Sequence, residues 1–400
     1  MANKNHIGRK NRLSRIVQLL RHLRLSELPV TYRGNRILLF TRGHSFFRSL
    51  HMALRRAERF ILVEFYLIRD DRTGVALAAE LVRAARRGVS VWLIYDYIGS
   101  LETPTSFFEG MARQGVKLIP FNVPSFRRGF HWFDRRDHRK MVVIDGSLAF
   151  LGGFNVGDEY SGLMERPRRF RDVGFSIMGN TVGELVRGFS EIWRMERGDF
   201  PALLPVPSSP DPQSRRVGGA DVAIVSGGPH QRRSYIRGAF LLNIAAATQE
   251  ILIATPYFVP GPRLIRALRR AARRGVKIRL LFPARSDAPL VRLLGRSFYA
   301  ALLRQGIDIR ELDREILHAK VMLIDRERTV IGSANLDLRS FHRNFEINCV
   351  IEDTLFGRQI RRMLLKDFRE SRPITLEDHE RRGIAARLLE RLIKQFDRFL

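Results

Sequence analysis

One cysteine, Cys349, is all that the 400 residues contain, which excludes a disulfide framework and a cysteine-rich metal site. A reducing, cytoplasmic setting fits that count. Long apolar runs are also missing. No stretch approaches the roughly 18 apolar residues that a bilayer-crossing helix needs, so any membrane contact is expected to be peripheral. The first thirty residues scatter Lys and Arg among short apolar stretches such as 16–20, with no signal-peptide core or small-residue cleavage pattern. Acidic residues are scarce as well. Against 70 Lys and Arg stand 41 Asp and Glu, a net charge of +29, and that field favours anionic partners: nucleic acid, anionic lipid headgroups or phosphate-bearing substrates.

What the chain has is repetition. Ala84-Ala85-Arg86-Arg87-Gly88-Val89 recurs as Ala271-Ala272-Arg273-Arg274-Gly275-Val276, and Arg113-Gln114-Gly115-Val116 recurs as Arg304-Gln305-Gly306-Ile307. Each copy is followed by a His-x-Lys-x4-Asp run: His138, Lys140 and Asp145, then His318, Lys320 and Asp325. Both runs continue at equal offsets to a glycine and an asparagine, Gly152 with Asn155 and Gly332 with Asn335. From average residue usage, five such positions coincide by chance on the order of once per several million start points. The protein is therefore read as one module written twice, with residues 1–200 and 221–400 as the halves. Residues 201–220, with five prolines and two glycines, read as a linker between them.

Within each half, apolar runs alternate with helical patterns. Residues 60–68 and 89–95 read as strands flanking a helix over 75–87; residues 251–258 and 276–282 flank a helix over 263–274. Gly88 and Gly275 close those helices as C-caps. Strand–helix–strand order implies parallel pairing. The first half carries an insertion over 124–137, rich in Arg and aromatics and suited to a loop at the rim of a site. Residues 384–400 space apolar side chains at helical intervals among Arg and Lys, a basic amphipathic helix, and 13–25 are a weaker version of the same.

The two motifs sit in β-branched runs, so strands are predicted there. On a strand, residues two apart share a face, which aims His138 with Lys140 and His318 with Lys320 at a common phosphate. Asp145 and Asp325 lie an odd number of residues from their histidines and are expected to brace the scaffold. The turn Gly332-Ser333-Ala334-Asn335 offers backbone N–H groups, the Ser333 hydroxyl and the Asn335 amide to phosphate oxygens; in the first half only main chain and Asn155 remain.

These paired motifs resemble the phospholipase D superfamily over roughly residues 35 to 350. The resemblance implies an α/β fold of two similar α/β/α halves with mostly parallel central sheets, a pseudo-twofold axis, and the active site at the junction. It implies a catalytic set of His138, Lys140, Asp145, His318, Lys320 and Asp325, with His138 resembling the nucleophile and His318 the general acid, the reverse assignment being left open by the symmetry of the sequence. It also places Asp172 and Glu346 against the motif imidazoles. No metal or other cofactor is expected, since no metal-binding pattern accompanies the motifs.

Further segments are similar to bacterial cardiolipin synthases of a short form: Thr255-Pro256-Tyr257-Phe258-Val259-Pro260, Phe65-Tyr66-Leu67-Ile68-Arg69-Asp70-Asp71, Asp96-Tyr97-Ile98-Gly99-Ser100 and Ser333 to Ser340. The paired N-terminal transmembrane helices of some such enzymes are missing from this sequence. This likeness implies transfer of a phosphatidyl group from phosphatidylglycerol to a second lipid alcohol through a phosphohistidine, at the cytoplasmic face of the cell membrane and peripheral to it. Hydrolysis to phosphatidic acid is the alternative that differs only in how well water is excluded. Nuclease activity is a third. Nucleic acid is not the expected partner, because single-motif nucleases of the superfamily dimerise to build a site whereas this chain holds both halves, so no oligomer is required either.

Overall fold

A computed structural model of the protein describes residues 29–125, 134–165, 168–201, 204, 219–229, 231 and 234–382. Both amphipathic terminal stretches, most of the proline-rich linker and the centre of the 124–137 insertion lie outside those residues.

The first half contributes β1 (Thr31–Phe40), β2 (Phe60–Phe65), β3 (Ser90–Asp96), β4 (Lys117–Phe121), β5 (Lys140–Ile144), β6 (Leu148–Gly152), β7 (Phe170–Arg171) and β8 (Gly174–Met178). The second contributes β9 (Ala220–Gly227), β10 (Glu250–Ala254), β11 (Phe258–Val259), β12 (Lys277–Pro283), β13 (Asp308–Leu312), β14 (Ile316–Leu317), β15 (Val321–Ile324), β16 (Arg328–Gly332), β17 (Leu336–Asp337), β18 (Glu346–Glu352) and β19 (Arg372–Ile374). Fifteen of them form one sheet, in the order β19-β13-β12-β10-β15-β16-β18-β9-β1-β8-β6-β5-β2-β3-β4. Read outward from the β9–β1 pair, both halves run through seven equivalent strands in the same order, and the second adds β19 at its outer edge. The duplication seen in the sequence is thus a pseudo-twofold in the fold.

Parallel pairing holds where strand–helix–strand units sit, at β2–β3–β4 and β10–β12–β13. The middle of the sheet is antiparallel, from β10 across to β2, because each motif strand turns back through a tight hairpin into its neighbour, β5 into β6 and β15 into β16. The two halves also share one sheet, since β1 and β9 pair antiparallel across the junction with Thr31 opposite Ala223.

Strand alternation decides the layers. In β2, Phe60 and Leu62 face one side while Ile61, Val63 and Phe65 face the other; in β15, Val321 and Leu323 oppose Met322 and Ile324. On the first side a single apolar core crosses both halves beneath the helices Val182–Arg197 and Thr354–Arg369, using Phe189, Trp193, Phe356 and Ile360. On the other side each half has its own core, under Gly43–Arg55 and Arg72–Arg86 in one and Tyr235–Ala246 and Gly261–Arg273 in the other. The duplicated helices end as the sequence predicts, with Gly88 at φ 91° and Gly275 at φ 86°, the left-handed region that closes a helix.

Candidate active site

Each motif histidine stands just ahead of its strand, not within it, because β5 begins at Lys140 and β15 at Val321. A shared strand face therefore does not bring His and Lys together. Instead the lysine folds back: Lys140 Nζ donates to His138 O at 2.6 Å, and Lys320 Nζ donates to His318 O at 2.5 Å. Lys320 Nζ also lies 2.8 Å from His318 Nδ1 and 3.2 Å from Nε2. All four side chains are buried.

The histidines are held from the opposite half. His138 N–H donates to Phe345 O at 2.9 Å, and the next residue, Glu346, places its carboxylate oxygens 3.0 and 3.1 Å from His138 Nδ1. Reciprocally, His318 N–H donates to Arg171 O at 2.9 Å, and the next residue, Asp172, reaches His318 Nδ1 at 2.5 Å. Two short parallel seams carry this exchange, β7 against β14 and Asp137 against Phe345. Glu346 is fixed in turn by Ser333 Oγ, which donates to it at 2.5 Å and accepts Ile347 N–H at 2.9 Å. The Ser333 hydroxyl, expected at phosphate oxygens, is thus engaged in positioning Glu346. Gly153 leaves the space that Asp172 fills: a Cβ there would come within 2.1 Å of its Oδ1.

The motif aspartates sit apart from this exchange. Asp145 and Asp325 occupy the hairpin turns after β5 and β15 at φ 52° and 49°, a conformation that Asp tolerates better than most residues. Asp145 accepts the backbone N–H groups of Glu58, Arg59 and Phe60 at 2.8 to 3.0 Å. Asp325 does the same for Thr248, Gln249 and Glu250 at 2.7 to 3.1 Å. They tie the motif hairpin to the start of the neighbouring strand, the expected bracing role, although it comes from the turn and not from strand parity, since neither histidine nor aspartate lies within the strand. Counted with the catalytic set on the strength of the motif, they hold no motif imidazole.

Two imidazoles, each braced by a carboxylate of the other half, make one duplicated arrangement at the junction, and comparison with known proteins identifies its family. The family described as "Cardiolipin synthase, PLD-like domain" matches residues 50–169 and 240–369. The chain belongs to that family. It is 35% identical to a cardiolipin synthase of Geobacillus kaustophilus (strain HTA426) over 367 residues, covering 92% of this chain and 72% of the relative. It is 37% identical to cardiolipin synthase A of Pseudomonas putida over 360 residues, covering 89% and 72%. In fold it is similar to the crystal structure of phosphatidylserine synthase from Haemophilus influenzae Rd KW20, with TM-score 0.72, 14% identity and 96% and 97% of the two chains covered.

The protein is thus a phospholipase D-superfamily enzyme of the cardiolipin synthase type, and burial governs the charge state of its junction residues. Burial, above all, pulls His138 down to about 4, with Lys140 and Lys320 adding to that and Glu346 opposing it. His138 is therefore neutral near pH 7, and with Nδ1 turned to Glu346 its Nε2 is the nitrogen left free of that carboxylate. Burial likewise lowers His318, helped by the Lys320 ammonium. Lys140 is pulled to about 7 by burial and by the charge of Lys320. Glu346 stays below its ordinary value although burial pushes it up, because His138, Lys140 and Ser333 stabilise the anion.

Asn155 and Asn335 both have a buried side-chain oxygen without a partner among the described residues. Asn155 donates to Tyr160 Oη at 3.1 Å, while Asn335 uses its backbone N–H on Ser340 Oγ at 3.1 Å. Several further side chains surround the two histidines. Tyr66 meets the His138 ring edge-on at 5.0 Å with Lys140 Nζ 5.3 Å from its own ring, and Tyr160 and Phe170 flank His318 at 5.3 Å each. Asp287, in an exposed loop, accepts Tyr257 Oη at 2.7 Å and its charge reaches His318 and Lys320. Tyr66 and Tyr257 lie in segments that carry the family likeness, whereas Tyr160, Phe170 and Asp287 had no signal beyond a lone aromatic or acid.

Proposed function

We propose that the protein transfers a phosphatidyl group from phosphatidylglycerol to the hydroxyl of a second lipid, through a phosphohistidine on one motif histidine. The observation that carries this is the pair of imidazoles, each with Nδ1 on a carboxylate of the other half. In this reading His138 Nε2 attacks phosphorus, and a bond from phosphorus to Nε2 replaces the bond to the glycerol oxygen. His318 delivers the proton that lets glycerol leave. An incoming lipid alcohol then gives its proton back to His318 and displaces His138. His318 is held neutral in the empty site, so the approach of the anionic phosphodiester is what raises its affinity for that proton. Lys140 and Lys320 neutralise the non-bridging oxygens, and Asn155 and Asn335 supply amide donors beside them. The bilayer presents lipid alcohol at high local concentration, which favours transfer over hydrolysis.

Among the described residues no helix is long and apolar enough to cross a membrane. The proposal therefore places the enzyme peripherally, at the cytoplasmic face, held by its net charge of +29 against anionic lipid. Residues 1–200 and 221–400, with 201–220 as linker, are the proposed halves of this arrangement.

Mass spectrometry of phosphatidylglycerol vesicles incubated with the protein tests the reading. Cardiolipin with free glycerol is expected; phosphatidic acid with glycerol would replace transfer by hydrolysis. His138→Ala and His318→Ala are each expected to abolish product, and turnover surviving in either would falsify the two-histidine mechanism.

A further inference from the structure

A cavity of about 990 Å³ opens between the halves on the far side of the Asp172–His318 pair. None of His138, Lys140, Asn155, His318, Lys320 or Asn335 lines it, so it is separate from the reacting face. Its wall from the second half is Arg314 and Glu315 together with the last turns of the helix Thr354–Arg369, where Arg362, Lys366 and Arg369 project at helical spacing as exposed side chains. Arg42 stands on the opposite wall.

The three acids in this cavity are already engaged. Asp172 holds His318 and accepts Val173 N–H, Glu315 pairs with Arg169, and Asp367 takes both Arg171 Nε at 3.2 Å and Nη2 at 2.7 Å. None of Arg42, Arg362, Lys366 and Arg369 has an ion-pair partner among the described residues. Four cations thus converge on one volume with no anion to balance them there. The helix Gly43–Arg55 adds donors, since its first turn lines the same cavity with no acidic residue and no side-chain cap. Phe154, Tyr160 and Phe170 supply an apolar floor.

We propose that this cavity binds a phosphate group other than the one being cleaved, carried by a lipid headgroup or by a soluble phosphate ester. Cationic walls with an apolar floor suit a phosphate that brings a short aliphatic portion with it. The site also touches the reaction centre. Arg171 donates to Thr41 O at the cavity wall, and its own carbonyl takes the His318 N–H, so a phosphate beside Arg42 sits one residue from the brace on His318. The inference stands on the cavity and its charges and does not depend on which lipid reaction the enzyme performs.

The test compares two triple variants with equal loss of charge. One removes the cavity stripe by Arg362→Gln, Lys366→Gln and Arg369→Gln; the control removes Arg263, Arg266 and Arg270 in the same way from the helix Gly261–Arg273, which covers the other side of the sheet. Glycerol 3-phosphate is titrated by calorimetry, and vesicles of phosphatidylglycerol in phosphatidylcholine are bound by flotation, with Lys320→Met marking the reaction centre's own phosphate binding. The cavity variant is expected to bind at least one probe about tenfold more weakly than the control, while Lys320→Met retains that binding event. Loss confined to glycerol 3-phosphate assigns a soluble ester, and loss confined to vesicles assigns a headgroup. Equal weakening in both triples, or loss only in Lys320→Met, overturns the proposal. Arg42→Gln, from the opposite wall, repeats the measurement should the helix variant melt at a lower temperature than the control.

Discussion

Lys140 bears the cost of sharing a dry site with a second ammonium. Its pKa is drawn down to about 7 by burial and by Lys320, against an ordinary value near 10.5, so between those pH values the unfolded chain holds a proton that the native one lacks. Stability therefore rises with pH across that window, and the penalty on the folded state is greatest below pH 7. Lys140→Met is expected to stabilise the unliganded protein at pH 7 and to lose most of that advantage by pH 10. Urea unfolding at both pH values measures it, and an advantage that stays constant with pH would remove the argument. The same substitution should cut turnover by on the order of a hundredfold, since a phosphate in transit loses one of its two cations. A site less stable empty than filled is the usual price of preorganised charge.

The motif hairpins show why an aspartate is the third member of the motif although it holds neither imidazole. Asp145 combines a left-handed turn conformation with three backbone donors from the start of β2. Asp145→Ala leaves those N–H groups without their acceptor and strains the turn, an expected loss of about 2 kcal/mol in unfolding free energy. Asp145→Asn keeps the turn and one acceptor and should lose less. Turnover per folded molecule should fall far less than in His138→Ala; equal losses would show that the aspartate acts on the reaction itself. The expected bracing role holds, but not for the expected reason: His138 precedes β5 and Asp145 follows it, so strand parity relates neither Asp145 nor Lys140 to the histidine. The turn conformation sets the aspartate, and the lysine's flexible stem sets the His–Lys contact.

Across the whole molecule, the decisive contacts run between halves. His138 depends on Glu346, 208 residues away, and His318 on Asp172, 146 residues away. Glu346→Gln is expected to lower kcat by about 10²- to 10⁴-fold, because the amide no longer fixes the His138 tautomer or stabilises its charge. If the carboxylate acts through the imidazole, His138→Ala combined with Glu346→Gln should cost no more than His138→Ala alone. Fully additive losses in that double-mutant cycle would place Glu346 in a separate role. Asp172→Asn should behave the same way toward His318.

Residue spacing was enough to reveal a duplicated α/β module, its capped helices, its motif strands and the paired His and Lys that the fold buries at the junction, because those features repeat at fixed local offsets that hydrophobic period and motif register make visible. It could not reveal that the halves merge into one fifteen-stranded sheet with an antiparallel middle, that Ser333 serves Glu346, or that a basic cavity opens behind Asp172. Those depend on which surfaces of the two halves meet. Contacts between residues far apart in the chain leave no period to read, and folding alone sets them.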